Sequence, residues 1–333
     1  MFSKNYPYII AEVASAHEGN PNLAIEIAKY AIKAKADAVK FQIFNSEKLL
    51  SSNNPFFKKF KKIELSFKEW RKVIRSIDGK KVSLIAEVFD NESLLFAENL
   101  NAFKAYKIPS ACLNDESMLK TLRKINKPVI LGVGGAEFKE IKYAYKKLKG
   151  SLSNINLMCG FQNFPTKVNE TRLNQITNLK NHFKSSIGFA DHSDAEFKNL
   201  AFGIPLMAYA LGANVIEKHI TNNRKKKGTD YYSSLNPNEF VEFVSLIKTS
   251  KDVFGASKGW ALTKAEKKYK KFTKKFAVAR FNIKKGDVIT KKNIAFKRTN
   301  KIGISQINFS YFFGKKITKN KSQDDMILLK EIR

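Results

Sequence analysis

The sequence predicts an α/β fold, a (β/α)8 TIM barrel followed by a small β-rich domain. Eight short apolar segments alternate with helical segments over residues 1–254, as is typical of parallel strands joined by helices. Polar residues recur just after the apolar segments, where barrel enzymes build their sites. An open, doubly wound sheet is the alternative, but no glycine-rich dinucleotide fingerprint follows the first strand.

The predicted elements follow one another in a regular order. The strands are residues 8–13, 38–43, 82–87, 105–108, 128–131, 156–159, 186–189 and 215–216. The helices are residues 23–35, 66–77, 92–100, 116–124, 137–148, 169–179, 200–211 and 237–247. The turn residues Gly19, Asn20 and Pro21 mark the start of the first helix. In the second strand, a period of two places Lys40 and Gln42 on one face.

The chain is predicted to contain a barrel domain, a linker and a second domain. The barrel domain occupies residues 1–254, and a lysine-rich linker covers 255–275. Short β-like segments and a KKGD turn predict a compact domain over residues 276–333.

The composition predicts a cytoplasmic protein with a sizeable core. Hydrophobic residues make up 43% of the chain, and no run approaches the ~18 apolar residues of a membrane span. The first residues show no apolar signal segment with a small-residue cleavage site. Cys112 and Cys159 stand among apolar or small residues, so buried, reduced thiols are expected.

The formal net charge of +31 indicates attraction for anions. Lysines greatly outnumber arginines, and there is no arginine-aromatic interleaving or recognised nucleic-acid motif. We therefore expect no specific nucleic-acid binding and no membrane binding, but a solvated lysine-rich surface that attracts anionic substrates.

Two histidines follow carboxylates at the ends of the last two predicted strands. Asp191-His192 comes after the seventh strand, and Glu217-Lys218-His219 comes after the eighth. Because parallel strands end at the same edge of a barrel, both histidines should emerge together. Neutral imidazoles with carboxylates nearby suit a divalent metal. Two polar histidines in unrelated loops are the alternative.

Seven motifs resemble, in the same order, those of the sialic acid synthase family: IIAEVASAHEGN, AVKFQIF, AYKIPS, FQNFPT, GFADHS, VIEKHIT and GTDYYSSL. The terminal domain is similar to the family's antifreeze-like (SAF) domain, so the resemblance covers essentially the whole chain. It implies condensation of phosphoenolpyruvate with an aldose to a nine-carbon 2-keto sugar acid, with release of phosphate. It also implies a divalent metal, Mn2+ or Mg2+, and a homodimer in which each terminal domain covers the partner's barrel.

The resemblance implies roles for residues of these motifs. His192 and His219 match the metal ligands. Glu12 matches a glutamate near the metal and the reacting aldehyde, where it would transfer a proton or position water. Lys40 and Lys107 match the lysines that hold the carboxylate and phosphate of phosphoenolpyruvate.

Further positions match substrate contacts of the family. Ser110 and Gln162 match contacts to phosphoenolpyruvate, whereas Gln42 and Asp230 match contacts to the sugar. Arg298 matches an arginine that the terminal domain offers to the sugar of the neighbouring subunit.

Three positions depart from the family pattern. Glu87 stands where a small hydroxylic residue is usual, and Ala190 stands where a serine is usual. Cys112 stands in place of a glutamate that helps to bind the acylamino sugar. These changes spare the metal residues and fall on the substrate wall, so we expect N-acetylmannosamine not to be the preferred aldose.

Two other functions fit parts of the sequence. A Schiff-base aldolase that uses Lys40 or Lys107 needs no metal. A non-catalytic sugar or nucleic-acid binding protein is suggested by the charge and by Glu87, and it would release no phosphate from phosphoenolpyruvate with any aldose.

Overall fold

The fold is taken from a computed structural model that describes residues 2, 6–77, 79, 81–152, 154–161, 163, 165–255 and 261–333. Gln162, a predicted substrate contact, lies outside the described residues. The chain packs as two compact units, Met1–Gly255 and Ala256–Arg333. None of the helices in the described ranges combines the length and apolar character needed to cross a membrane.

The first unit is a closed barrel of eight parallel strands. The strands are β1 (Tyr8–Glu12), β2 (Ala38–Ile43), β3 (Ser83–Val88), β4 (Phe103–Ile108), β5 (Val129–Gly132), β6 (Ile155–Cys159), β7 (Ser186–Asp191) and β8 (Val215–His219). Each strand pairs with the next, and β8 pairs with β1, so no sheet edge is left open. The predicted eightfold barrel is confirmed.

One or more helices follow each strand of the barrel. They are α1 (Pro21–Lys33), α2 (Ser46–Leu49), α3 (Phe57–Ile63), α4 (Phe67–Ile77), α5 (Asn91–Asn99), α6 (Glu116–Ile125), α7 (Phe138–Lys149), α8 (Asn174–His182), α9 (Lys198–Ala210) and α10 (Pro237–Phe254). Asn20 caps α1 by accepting hydrogen bonds from two backbone amides, and proline begins the helix. Helix α4 buries residues spaced three and four apart, namely Trp70, Val73, Ile74 and Ile77.

Alternate residues of each strand face the helices or the barrel interior. Phe41 faces outward and packs edge-on against Trp70, with 5.5 Å between ring centroids. The inward residues form an apolar layer that includes Ile10, Ala38, Ile85, Ala105, Ile130, Met158, Ala190 and Val215. This layer forms part of the barrel core. Positions two residues further along each strand face the interior nearer the carboxyl end of the strand.

Strands β7 and β8 are longer than the sequence analysis predicts, and this determines where their polar residues lie. The predicted strands end at residues 189 and 216, whereas β7 and β8 of the structure end at Asp191 and His219. Asp191 pairs in register with Lys218, and Glu12 pairs with His219. Because these residues continue the strands, their side chains alternate between the interior and the helices.

The second unit contains a two-stranded antiparallel sheet, formed by β9 (Lys275–Ala279) and β10 (Ile294–Arg298). Helix α11 (Lys264–Thr273) lies in the range predicted as a linker, and α12 (Gln306–Phe309) follows β10. Isolated antiparallel bridges, such as Val278 with Met326, extend the β structure. The core of this unit consists of Ala277, Ala279, Ile283, Ile289, Ile294, Phe309, Ile317 and Ile327.

Candidate active site

Five charged side chains lie in the barrel interior directly beyond the apolar layer. Each follows a member of that layer by two residues on the same strand, which places it on the same face. All five are at most 2% exposed, namely Glu12 on β1, Lys40 on β2, Glu87 on β3, Lys107 on β4 and Glu217 on β8. Buried charges of this kind require partners.

The three glutamates hold the two lysines. Lys40 Nζ forms ion pairs with Glu12 and Glu87 and lies 3.1 Å from Glu217 Oε1. Lys107 Nζ lies 2.8 Å from Glu217 Oε1 and 3.5 Å from Glu87 Oε1. Glu217 and Glu87 therefore each contact both lysines, which holds the two ammonium groups in one small volume.

Burial and ion pairing compete in this cluster. Burial lowers the pKa of Lys40 to about 8, although Glu217 and Glu87 oppose the shift. Burial also disfavours the charged form of Lys107, but Glu217 and Glu87 outweigh it and raise the pKa of that lysine. Burial disfavours the ionised form of Glu217, yet Lys107 and Lys40 lower its pKa to about 2. Lys107 and Glu217 are therefore ionised at neutral pH.

Two buried histidines lie beside this cluster. His192 follows β7 and His219 ends β8, with their ring centroids 5.2 Å apart. Burial lowers the pKa of His192 to about 4, although Glu217 opposes the shift. Burial, followed by the neighbouring His192, lowers the pKa of His219 well below its ordinary value. Both imidazoles are therefore neutral at physiological pH, the form that binds metals.

The donor set in the barrel interior fits a divalent metal. One oxygen each from Glu12, Glu87 and Glu217 lies within 4.8 Å of the others. Glu217 Oε2 is buried and accepts no hydrogen bond from the described residues. Two neutral imidazoles beside carboxylates offer the nitrogen and oxygen ligands that suit first-row divalent ions. Lys40 Nζ pairs with all three carboxylates, so the two histidines and Glu217 Oε2 are the groups that could hold a metal.

The structure places five predicted site residues at the carboxyl end of the barrel interior. They are Glu12, Lys40, Lys107, His192 and His219. Gln42 joins them, because its Nε2 donates to Glu87 Oε2 at 3.5 Å.

The remaining predicted contacts lie in loops and in the second unit. Asp230, in the loop after β8, accepts a hydrogen bond from the backbone amide of Ser15 at 3.4 Å. Burial raises the pKa of Asp230 to about 6. Ser110 begins a single 3-10 turn just after β4 and is half-buried. Arg298 is exposed at the end of β10 in the second unit.

Glu217 is a site residue that the sequence analysis did not assign. In the sequence it stands only as a carboxylate near His219, whereas the structure places it between the two lysines. The signal was present in the sequence, because Glu217 precedes His219 by two residues and so shares its face of a strand. The predicted strand ends at residue 216, so the prediction leaves both Glu217 and His219 outside β8.

Comparison with known proteins identifies relatives along nearly the whole chain. Residues 27–259 match the NeuB family. The N,N'-diacetyllegionaminic acid synthase of Campylobacter jejuni is 32% identical, over 96% of this chain and 98% of the relative. A pseudaminic acid synthase of the same species is 28% identical, over 98% and 96% of the two chains. The crystal structure of the N-acetylneuraminic acid synthetase of Leptospira borgpetersenii superimposes with a TM-score of 0.73 at 30% identity, covering 80% of this chain and 92% of that one. This chain therefore belongs to the NeuB family.

Proposed function

We propose that this protein uses a divalent metal to condense phosphoenolpyruvate with an aldose, giving a nine-carbon 2-keto sugar acid and phosphate. The observation that carries the proposal is the pair of buried lysines, Lys40 and Lys107, beside the neutral histidines His192 and His219. The names of the relatives support the same class of reaction, because those proteins are synthases of legionaminic and pseudaminic acids.

Lys40 and Lys107 would bind phosphoenolpyruvate. Their ammonium groups both contact Glu217 Oε1, at 3.1 and 2.8 Å, so they face the same volume. Two fixed cations suit a substrate that carries a carboxylate and a phosphate, because charge-assisted hydrogen bonds are strong in a buried site. Ser110 and Gln162 are the further contacts proposed for this substrate.

His192 and His219 would hold the metal, with Glu12 beside them. A bound Mn2+ or Mg2+ would polarise the aldehyde oxygen of the sugar. Burial keeps both imidazoles neutral, which is the protonation state that binds a metal.

Glu12 would move a proton or position water during the reaction. Its Oε1 accepts a hydrogen bond from the backbone amide of Ala14 at 2.6 Å, and its Oε2 pairs with Lys40. These two contacts orient the carboxylate, and orientation is what a general base requires. The carbon–carbon bond would form between C3 of phosphoenolpyruvate and C1 of the aldose. Water would then add at C2, and phosphate would leave.

Gln42, Asp230 and Arg298 are proposed to bind the sugar. Gln42 lies beside Glu87 at the carboxyl end of β2, and Asp230 lies where the loop after β8 meets the loop after β1. Arg298 would come from the partner in a homodimer, with the second unit acting as an antifreeze-like domain over the neighbouring barrel. The relatives are named as synthases of different sugar acids, so the identity of the aldose has to be determined by experiment.

The proposal is tested by phosphate release from phosphoenolpyruvate and Mn2+ across a panel of aldoses. The panel contains mannosamine-type, dideoxy-diacetamido and unsubstituted sugars. We expect release with one of the sugars other than N-acetylmannosamine, and loss of that release in excess chelator. Absence of release with every aldose would contradict the proposal. If the protein released no phosphate but bound nucleic acid with an affinity that fell steeply with salt, a non-catalytic binding protein would be favoured.

Lys40 supports a second candidate, a Schiff-base aldolase. Burial lowers its pKa to about 8, which increases the fraction of neutral amine. Its ion pairs with Glu12 and Glu87 favour the charged form and oppose this function. Borohydride trapping with 2-keto sugar acids separates the two candidates. A covalent adduct on Lys40 or Lys107 would favour the aldolase, whereas metal-dependent phosphate release without an adduct would favour the synthase.

A further inference from the structure

Glu87 contacts polar side chains on both neighbouring strands. Its register partners are Gln42 on β2 and Lys107 on β4. Its Oε2 pairs with Lys40 and accepts a hydrogen bond from Gln42 Nε2, and its Oε1 lies 3.5 Å from Lys107 Nζ. The side chain is 1% exposed, so solvent does not screen these contacts. Glu87 is thus an anion bound between the two lysines.

The charge balance of the cluster opposes a further anion. Three glutamates face two lysines, which gives a net charge of −1 when all five groups are ionised. A phosphorylated substrate adds more negative charge to the same buried volume, where like charges repel strongly. Without Glu87, two lysines would face two glutamates, and the cluster would be neutral.

We propose that Glu87 occupies the anion position formed by Lys40 and Lys107, and that a phosphorylated substrate must displace it in order to bind. The inference deepens the proposed function and rests on it for the identity of the substrate. Glu87 would thereby set the affinity of the site for anions. It would hold the lysines in place in the resting protein and keep phosphate from binding tightly.

The test measures binding by isothermal titration calorimetry in EDTA, with inorganic phosphate and with phosphoenolpyruvate as probes. Glu87→Gln removes the charge and keeps the shape, and Glu87→Ser removes the carboxylate altogether. We expect either variant to bind both probes about tenfold more tightly than wild type, or better. Thermal denaturation verifies that each variant is folded. If the glutamine variant does not fold, the serine variant alone is enough for the test. Unchanged or weaker binding of both probes would overturn the inference.

Two further variants locate the effect. Glu98→Gln is the matched control, because Glu98 on α5 is also paired with a lysine, Lys127, but lies outside the charged interior cluster. It should leave anion affinity unchanged. Lys107→Met in the Glu87→Gln background should remove the gain, and a gain that survives this change would overturn the inference. Tighter binding of inorganic phosphate supports the role of Glu87 even if the aldose panel shows no turnover, so the two proposals fail separately.

Discussion

Asp191 and Lys218 form a buried ion pair between β7 and β8, with 2.5 Å between Oδ2 and Nζ. They are register partners on β7 and β8, and each precedes a histidine by one residue. Asp191 also accepts hydrogen bonds from the amide and hydroxyl of Ser193. The pair therefore ties together the two strand ends that carry His192 and His219.

Asp191→Asn should destabilise the protein and weaken metal binding. The change leaves Lys218 charged in a fully buried position without its carboxylate, and breaking a buried pair costs about 3 kcal/mol or more. We expect a lower Tm by circular dichroism and a weaker Mn2+ affinity by calorimetry. Glu242→Gln is the control, because the Lys198–Glu242 pair is half-exposed and contributes little. A loss of stability no larger than that of the control would contradict the role of Asp191.

His192→Ala and His219→Ala should each abolish metal-dependent turnover while the protein stays folded. Each change would remove one of the two neutral imidazoles proposed as ligands. The measurements are Mn2+ binding, phosphate release and the circular dichroism spectrum. His182→Ala, at an exposed position near the end of α8, should retain both binding and turnover. Full activity in either site variant, or in thoroughly chelated wild type, would exclude the assignment.

The barrel could be predicted because its signals are local. Each strand is a short apolar run, and each helix shows its own periodicity or turn chemistry, so eight repeats indicate the architecture without any long-range information. The period of two in the second strand predicts that Lys40 and Gln42 share a face. The structure confirms this, because both side chains contact Glu87.

The charged cluster could not be predicted from local patterns, because it depends on register between distant strands. Lys107 and Glu217 are 110 residues apart in sequence and meet only after the barrel closes. The sequence showed that Glu87 adds negative charge near the substrate wall, but not that it contacts both lysines. That contact follows from the pairing of β2, β3 and β4.

The protein should lose stability as the pH falls from about 6.5 to about 4. Burial lowers the pKa of His17 and of His192 to about 4, whereas an unfolded histidine titrates near 6.5. Over this interval the unfolded chain binds protons that the folded chain does not, so acid favours unfolding. By pH 4, each of these histidines should lower the free energy of unfolding by about 3 kcal/mol.

The measurement is Tm as a function of pH, compared with a variant that cannot titrate at position 17. His17 is 1% exposed, and its Nδ1 accepts a hydrogen bond from the amide of Gly19 at 3.1 Å. His17→Gln should therefore show a smaller fall in Tm between pH 7 and pH 4 than wild type, whatever its Tm at pH 7. An equal slope in both proteins would show that His17 does not contribute.

Arg298 is predicted to act on the sugar and not on phosphoenolpyruvate. A truncated chain that ends at Phe254 should lose sugar affinity more than phosphoenolpyruvate affinity, because the proposed contact comes from the partner's second unit. Arg298→Ala in the full chain should raise the KM for the sugar in the same direction. Steady-state kinetics with each substrate varied in turn provides the measurement. An unchanged sugar KM in both proteins would count against a role across the dimer.

The protein is predicted to disfavour N-acetylmannosamine, because Cys112 cannot replace a carboxylate as an acceptor. Its Sγ donates to the carbonyl of Phe89 at 3.4 Å, and burial raises the pKa of the thiol to about 12, so the group stays neutral. Losing a polar partner for a substrate group costs on the order of 1–3 kcal/mol, roughly tenfold to a hundredfold in kcat/KM. Cys112→Glu should shift the ratio of kcat/KM values toward N-acetylmannosamine, although Glu87 limits the recovery by repelling substrate anions. The ratio compares two sugars on the same protein, so a smaller folded fraction in the variant cancels. The prediction is wrong if N-acetylmannosamine proves the best aldose of the panel for the wild-type protein.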